Sequence, residues 1–495
     1  MPRIEEIDLH PWGWETDPEE ERFRLSTLDY LTTKTFTTVA VIFKIEASQK
    51  EMVTELFKES IARTLSQVRH MIGTIEKDAD GQHSIVRKRG TTIKFVVQHL
   101  DGPEDTYPSF AEMEKAHFTS DVLGDADKLS HPPMTFGPKP EADPDNSPPV
   151  MAFKLNYIPG GMILMLPTHH YANGLVGFTS FIHQIADWCY ALVNKTDHPL
   201  FDPRNLDRTL FTNLGFETAE ASEEPSTETS GSAPAPGRAL PVSSPPRHRR
   251  SHSLLFHVPK SKAAQLKKLA TPADGSWITT YNAICAMMWR VFSRIREPLY
   301  NPGRDYTPIF GTGVTLIKKI PNMPERMQGN MQFDINSTTS HLPQFTLGEI
   351  ISDVPLSKLA SYIREMTESV TPKMLAVELQ KVAHKRGKEN LSISADAFPL
   401  MALYITDWRS SNFCDFDFGF ASPTAYRHVF GTIPLSQCVV YPAHRGPAGD
   451  DEGIELQVTF EEELMADLLN DPEWNRYFEF RGVDTMAEGG MKPKL

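Results

Sequence analysis

Cysteine is scarce in this sequence: Cys189, Cys285, Cys414 and Cys438 are the four among 495 residues, and no two stand in a CxxC pair. That spacing speaks against a disulfide framework and against a zinc ribbon. Long apolar runs are missing as well. No stretch reaches the roughly 18 apolar residues of a membrane span. The N-terminus, MPRIEEIDLHPWGWETDPEEE, is acidic and has no apolar signal-peptide core. Basic charge is in deficit: 50 Lys and Arg stand against 64 Asp and Glu, a formal net charge of −14, where nucleic-acid-binding domains usually carry a basic stripe. No short-period repeat is visible. These absences predict a soluble, reducing, cytoplasmic chain with neither membrane nor nucleic acid as partner.

What is present is ordinary globular composition, 40% hydrophobic and 23% charged, long enough for two domains of roughly 200–250 residues each. One segment stands apart. From Glu217 to Arg250 the text is ETAEASEEPSTETSGSAPAPGRALPVSSPPRHRR. It has no aromatics, too little apolar surface to offset chain entropy, and so reads as a disordered linker. It separates an N-terminal lobe, 1–216, from a C-terminal lobe, 251–495. In the first, FTTVAVIFKIE (36–46) reads as a strand and 48–76 as a helix with Met52, Leu56, Ile61, Leu65, Val68 and Ile72 on one face. VMAFKLNYI and GMILML flank Pro159-Gly160-Gly161 as a hairpin. In the second, SHSLLFHVP reads as a strand, SKAAQLKKLA and residues 279–297 as helices, and GIELQVTFEEELMADLLNDPEW as a strand followed by a helix. The fold class is α/β or α+β in two lobes.

The segment that invites a functional reading is LPTHHYANG, 166–174. It joins the apolar run MILML to a helix whose apolar positions, Leu175, Val176, Phe178, Phe181, Ile182, Ile185, Trp188 and Cys189, recur at steps of three and four. Asn173 falls where that helix begins and suits an N-cap; Gly174 beside it allows a tight turn. His169 and His170 thus sit on a strand-to-helix crossing. A neutral imidazole there can take a proton from a hydroxyl or an amine. A metal is not expected, since adjacent histidines do not converge on one ion and no HExxH is present. No GxSxG elbow or catalytic-cysteine signature supplies a covalent nucleophile. On this segment alone a hydrogen-bonded structural histidine remains the more common outcome. Asp417-Phe418-Gly419 evokes a kinase, but the Gly-rich loop, VAIK and HRD elements are missing.

Taken together, HHYANG and DFGFA resemble the HxxxD(G) and DFGWG motifs of the BAHD acyltransferases, and in style the fungal secondary-metabolism branch of trichothecene acetyltransferases. The similarity runs nearly the whole chain: Leu25-Ser26-Thr27-Leu28-Asp29 resembles the family's N-terminal LSxLD, TTYNAICAMMWRV its second-lobe helix with Trp289-Arg290, Gly329-Asn330 its GN, and Trp408 precedes DFG at the expected distance. The resemblance implies a chloramphenicol-acetyltransferase-like pair of similarly folded lobes with mixed sheets, a crossover between them, an active-site channel at their interface, and a monomer. It implies acyl transfer, with acetyl-CoA as co-substrate rather than a bound cofactor, to a hydroxyl of a small-molecule acceptor such as a terpenoid, alkaloid or polyketide. His169, four positions before Asn173, matches the general base, and no acyl-enzyme forms. His170, Asn173 and Gly174 complete that motif; Asp417, Phe418 and Gly419 are structural. Asn173 departs from the family's Asp, and the Arg that pairs with that Asp has no counterpart around 313–324, where Leu316, Lys318 and Lys319 stand. A neutral Asn facing a neutral partner is self-consistent, since an unpaired buried charge is costly. Lys318, Lys319 and Arg247–Arg250 offer positive charge, but each reads first as solvated surface; the residues that contact coenzyme A are not identified. N-acylation, thioester condensation or cyclisation by the same histidine, and a non-catalytic ligand-binding member, are the alternatives.

Overall fold

A computed structural model describes residues 3–137, 139–208, 249–383, 388–391, 399–430, 437–443, 446 and 448–485. Most of the predicted linker, 217–248, lies outside these residues. Its last two positions are described: Arg249 pairs with Glu463 at 2.6 Å and Arg250 with Glu462 at 3.2 Å, both on the surface.

Two mixed sheets carry the two lobes. The first has six strands in the order Arg3–Leu9, Ile93–His99, Phe153–Ile158, Gly161–His169, Phe36–Lys44 and Ala425–His428. The second has seven: Gln332–Asn336, Phe310–Thr315, Leu403–Asp407, Gln437–Tyr441, Ile454–Glu461, Ser251–Val258 and Glu479–Thr485. Each includes parallel and antiparallel neighbours. Helices Lys50–Gln67 and Leu175–Asn194 share the core of the first sheet, where Leu56, Ile61, Leu65, Phe181 and Ile185 are buried together. Helix Thr280–Tyr300 runs through the core of the second and buries Trp289 and Phe292.

The local chemistry accounts for most of these boundaries. The β-branched run at 36–44 is a strand because its residues fit a pleated, fully packed surface. The hairpin at 153–169 closes through Gly160 at φ +74°, in the left-handed region that favours glycine. Thr279 caps the long second-lobe helix in a reciprocal box with Asn282.

One helix is shorter than expected. The periodic stretch 48–76 gives a helix only over Lys50–Gln67; Thr74–Lys77 is a strand of a small three-stranded sheet. Gly73, at φ +130° and against the Val86 carbonyl, turns the chain there. Met52 of the expected apolar face is 45% exposed.

The lobes are interleaved as well as juxtaposed. Strand Ala425–His428, far into the second lobe's sequence, pairs antiparallel with Phe36–Lys44 of the first. Trp408, Phe413, Phe418 and Tyr426 are buried in the first lobe's core. The loop that carries DFGFA therefore belongs structurally to the N-terminal half.

Candidate active site between the lobes

The strand Gly161–His169 lies buried along its whole length and ends at the two histidines. Side chains alternate along a strand, so adjacent residues face opposite ways. His169 turns inward. It is fully buried, edge-on to Phe36 at 5.4 Å between ring centres. Its Nε2 donates to the Ala142 carbonyl at 2.8 Å and its Nδ1 accepts the Tyr171 N–H at 3.1 Å. Burial pushes its pKa down to about 4. Both ring nitrogens are thus engaged within the first lobe.

His170 turns the other way. It lines a cavity between the lobes together with Thr37 and Phe136 of the first and Thr406, Trp408 and Val439 of the second. Burial lowers its pKa below the usual histidine value; its own carbonyl, the Asn330 side chain and the Asp29 charge oppose that shift. Nδ1 makes no well-aligned hydrogen bond to any described residue. A lowered pKa leaves the ring neutral near pH 7, the state that accepts a proton. A second cavity shares Leu175, Gln332 and Thr406 with the first and reaches Arg409, which is held bidentately by Asp407 at 2.8 and 2.7 Å.

Asn173 is not the helix cap. Gly174 occupies that position, and no side chain caps the helix. The Asn173 carboxamide is used across the interface instead. Its Oδ1 accepts the Gly329 N–H at 2.6 Å and lies 3.3 Å from His70 Nε2; its Nδ2 donates to Gln328 Oε1 at 3.0 Å and to Met71 Sδ at 3.1 Å. Every hydrogen-bonding partner is neutral, since burial drives the His70 pKa down to about 3. In the 313–324 segment where that Arg would fall, Leu316 is buried in the second-lobe core, Lys318 is exposed, and Lys319 donates to the Thr367 carbonyl at 3.1 Å. Gly174 is required by proximity rather than by its φ: a Cβ there would stand 2.7 Å from Asn330 Oδ1.

An ion pair exists nearby between other residues. Asp29, fully buried, accepts from Arg208 Nη1 at 2.5 Å, from the Ser26 N–H at 2.7 Å, and from Asn330 N and Nδ2 at 3.2 and 2.9 Å. Asn330 Nδ2 also donates to the His170 carbonyl at 2.9 Å. The LSTLD and GN segments thus meet beneath His170 and fix its backbone. Sequence reasoning noted both segments and missed Arg208, which lies in a stretch without periodic signal.

Asp417 is exposed and accepts the Gly419 N–H of its own turn at 2.8 Å. The packing is done by rings: Phe418 meets Phe43 at 5.0 Å between centres, and Phe420, in the family's Trp position, meets Phe43 at 5.4 Å and Phe57 at 5.8 Å. His428, Tyr404 and Asp334 also line the cavity and had no motif to announce them. His428 Nδ1 is held by the Tyr441 hydroxyl at 2.9 Å, with its ring edge-on to Trp408 at 4.2 Å.

Among the described residues no group of three His, Cys, Asp or Glu side chains could hold a metal ion, and no helix is long and apolar enough to cross a membrane.

The model of the Transferase family matches residues 15–474. Acetyltransferase FGR3 of Gibberella zeae is 45% identical over 488 residues, 98% of this chain and 95% of its own length. Trichothecene 3-O-acetyltransferase TRI101 of Fusarium sporotrichioides is 22% identical over 459 residues, 90% of this chain and 94% of its own. The crystal structure of F. graminearum TRI101 complexed with coenzyme A and deoxynivalenol superposes with a TM-score of 0.73 at 20% identity, covering 93% of this chain and all of that one.

Proposed function

Since the chain belongs to the Transferase family, the BAHD acyltransferases, we propose that it transfers an acetyl group from acetyl-CoA to a hydroxyl of a small-molecule secondary metabolite. The observation that carries this reading is the 45% identity to an acetyltransferase over nearly the full length, joined to a neutral histidine in the cavity between the lobes.

His170 acts as the base in this reading. The acceptor hydroxyl attacks the thioester carbonyl while the cavity-facing nitrogen of His170 removes its proton. The tetrahedral intermediate collapses, the carbon–sulfur bond breaks, and the imidazolium returns its proton to the departing thiolate. No acyl-enzyme is needed, because base and acceptor act in one complex. Such proton transfer contributes about 10²–10⁴-fold to rate. The contiguous cavities support separate approaches for donor and acceptor, with Arg409 as a cation facing the second.

Motif spacing favours His169 instead, and the two assignments separate experimentally. Purified protein is incubated with acetyl-CoA and a panel of polycyclic alcohols, with release of the CoA thiol and the mass of the ester both followed. His170→Ala should abolish transfer with the fold intact. Retained transfer by His170→Ala, with loss in a folded His169→Ala protein, would return the role to His169. An absence of ester from every alcohol with the unaltered protein would count against the acetyltransferase reading.

A further inference from the structure

The second-lobe wall of the cavity contains a constellation that the acyl-transfer step does not use. Strand Phe310–Thr315 runs between Gln332–Asn336 and Leu403–Asp407. On it, Gly313 is the register partner of Asp334 and Gly311 that of Tyr404. Lacking side chains, the two glycines leave a bare strip of backbone between those residues. Tyr404 lies across it, and its hydroxyl donates to Asp334 Oδ1 at 2.6 Å. The strip is needed for this. A Cβ on Gly311 would stand 3.0 Å from the Tyr404 ring, and one on Gly313 would stand 3.1 Å from Asp334 Oδ1 and 3.5 Å from the Tyr404 hydroxyl. Paving of this kind marks a strand position where something must approach the backbone closely.

The result is a carboxylate on the wall of the cavity that His170 also lines. No cation is paired with Asp334 among the described residues, and Tyr404 is the one side chain there that hydrogen-bonds its carboxylate. Burial against one neutral donor raises its pKa to about 6. A carboxylate with capacity to spare, partly desolvated, is costly unless a ligand supplies donors. Gln332, Thr406 and Gln437 add further polar groups to the same space, which a purely hydrocarbon acceptor would leave unpaired.

We infer that Asp334, held by Tyr404 across the Gly311–Gly313 strip, anchors the acceptor through a second hydrogen-bond donor, so that the preferred acceptors are diols or amino alcohols rather than simple alcohols. This rests on the acetyl-transfer reading. It adds the acceptor's chemical class: one hydroxyl presented to His170, and a second hydroxyl or an ammonium group bound to Asp334. A site built to bind a donor discriminates strongly against analogues that lack it, because its buried polar group is then unpaired.

The test compares cyclohexanol, trans-1,2-cyclohexanediol and trans-2-aminocyclohexanol as acceptors with acetyl-CoA, measuring ester by mass spectrometry for the unaltered protein, Asp334→Asn, Tyr404→Phe and Gly313→Ala. Asp334→Asn keeps the shape and an oxygen for Tyr404, so the fold is retained; CD melting checks it. The unaltered protein should favour the two bifunctional acceptors over cyclohexanol in kcat/KM. Asp334→Asn should cut that preference roughly ten- to hundredfold, with smaller losses in Tyr404→Phe and Gly313→Ala. A loss confined to the diol arm identifies a polyol acceptor, and one confined to the amine arm a basic acceptor. Equal use of all three acceptors, or a preference that Asp334→Asn leaves unchanged, overturns the anchor while acetyl transfer stands. No ester from any acceptor with any protein counts against the acetyl-transfer reading and the anchor with it.

Discussion

Asn173 Oδ1 accepts the backbone N–H of Gly329 at 2.6 Å, joining the turn after strand Gly161–His169 to the second lobe without a charge on either side. The same carboxamide uses its Nδ2 toward Gln328 and Met71. In place of an Asp–Arg pair at this position the protein has an amide knot, and the ion pair near it is Asp29–Arg208.

Asn173→Asp should weaken the protein. The change removes two donated hydrogen bonds and sets a buried carboxylate oxygen against Gln328 Oε1. A loss of about 1–3 kcal/mol is expected, read as a lower denaturant midpoint, with acetyl transfer unchanged or reduced. A large gain in activity would mean that a cation pairs with this position during turnover.

Gly177→Ala probes the same knot sterically. A Cβ there would collide with Asn173 Oδ1 and stand 3.0 Å from the Gly329 nitrogen. Overpacking of this kind costs typically about 1–3 kcal/mol. Asn173→Ala removes the obstructing oxygen, so the double mutant should be destabilised by less than the sum of the single changes. Strict additivity in urea titrations would show that the two sites do not touch.

Asp29→Ala should be severe. It leaves Arg208 without its carboxylate and strips Asn330 of the acceptor for two donors, and breaking a buried pair on one side costs about 3–5 kcal/mol. Asp29→Ala should also release the Asn330 contact to the His170 carbonyl, so kcat should fall even where the protein remains folded. Normal kcat at a temperature well below the melting transition would contradict that link.

Acid should destabilise the fold through its buried histidines. His70, His169 and His428 have folded pKa values lowered to about 3, 4 and 3 by burial. In the unfolded chain they titrate near 6.5, so below that pH the unfolded state binds more protons. Their contribution is fully present above about pH 6.5 and is lost as pH falls from there toward 4, at up to about 1.4 kcal/mol per pH unit for each. Urea midpoints at pH 7.5 and 5.5 should differ, and His169→Gln should remove part of the difference. An identical pH response in His169→Gln would place the acid sensitivity elsewhere.

Much of the architecture was legible in advance. The strand at 36–44, the hairpin through Gly160 and the long helix behind Thr279 follow from local propensity and pattern, and these depend on neighbours in sequence. The helix expected over 48–76 ends at Gln67, and past Gly73, whose close approach to the Val86 carbonyl thirteen residues on leaves no room for a side chain, the chain runs as a strand instead. The linker assignment concerns residues that are mostly outside those described.

The site was legible as a motif and opaque as geometry. By itself the sequence determined that two histidines end a buried strand ahead of an amphipathic helix, and that DFGFA and GN recur in a familiar order, because periodicity and motif order are properties of the linear chain. Only the tertiary structure decided which histidine faces the cavity, that Asn173 bridges to Gly329 rather than capping its helix, that Asp29 pairs with Arg208, and that Tyr404 reaches Asp334 over two glycines. Each depends on which way a side chain leaves the backbone and on what a distant segment brings opposite it, and neither is encoded in spacing along the chain.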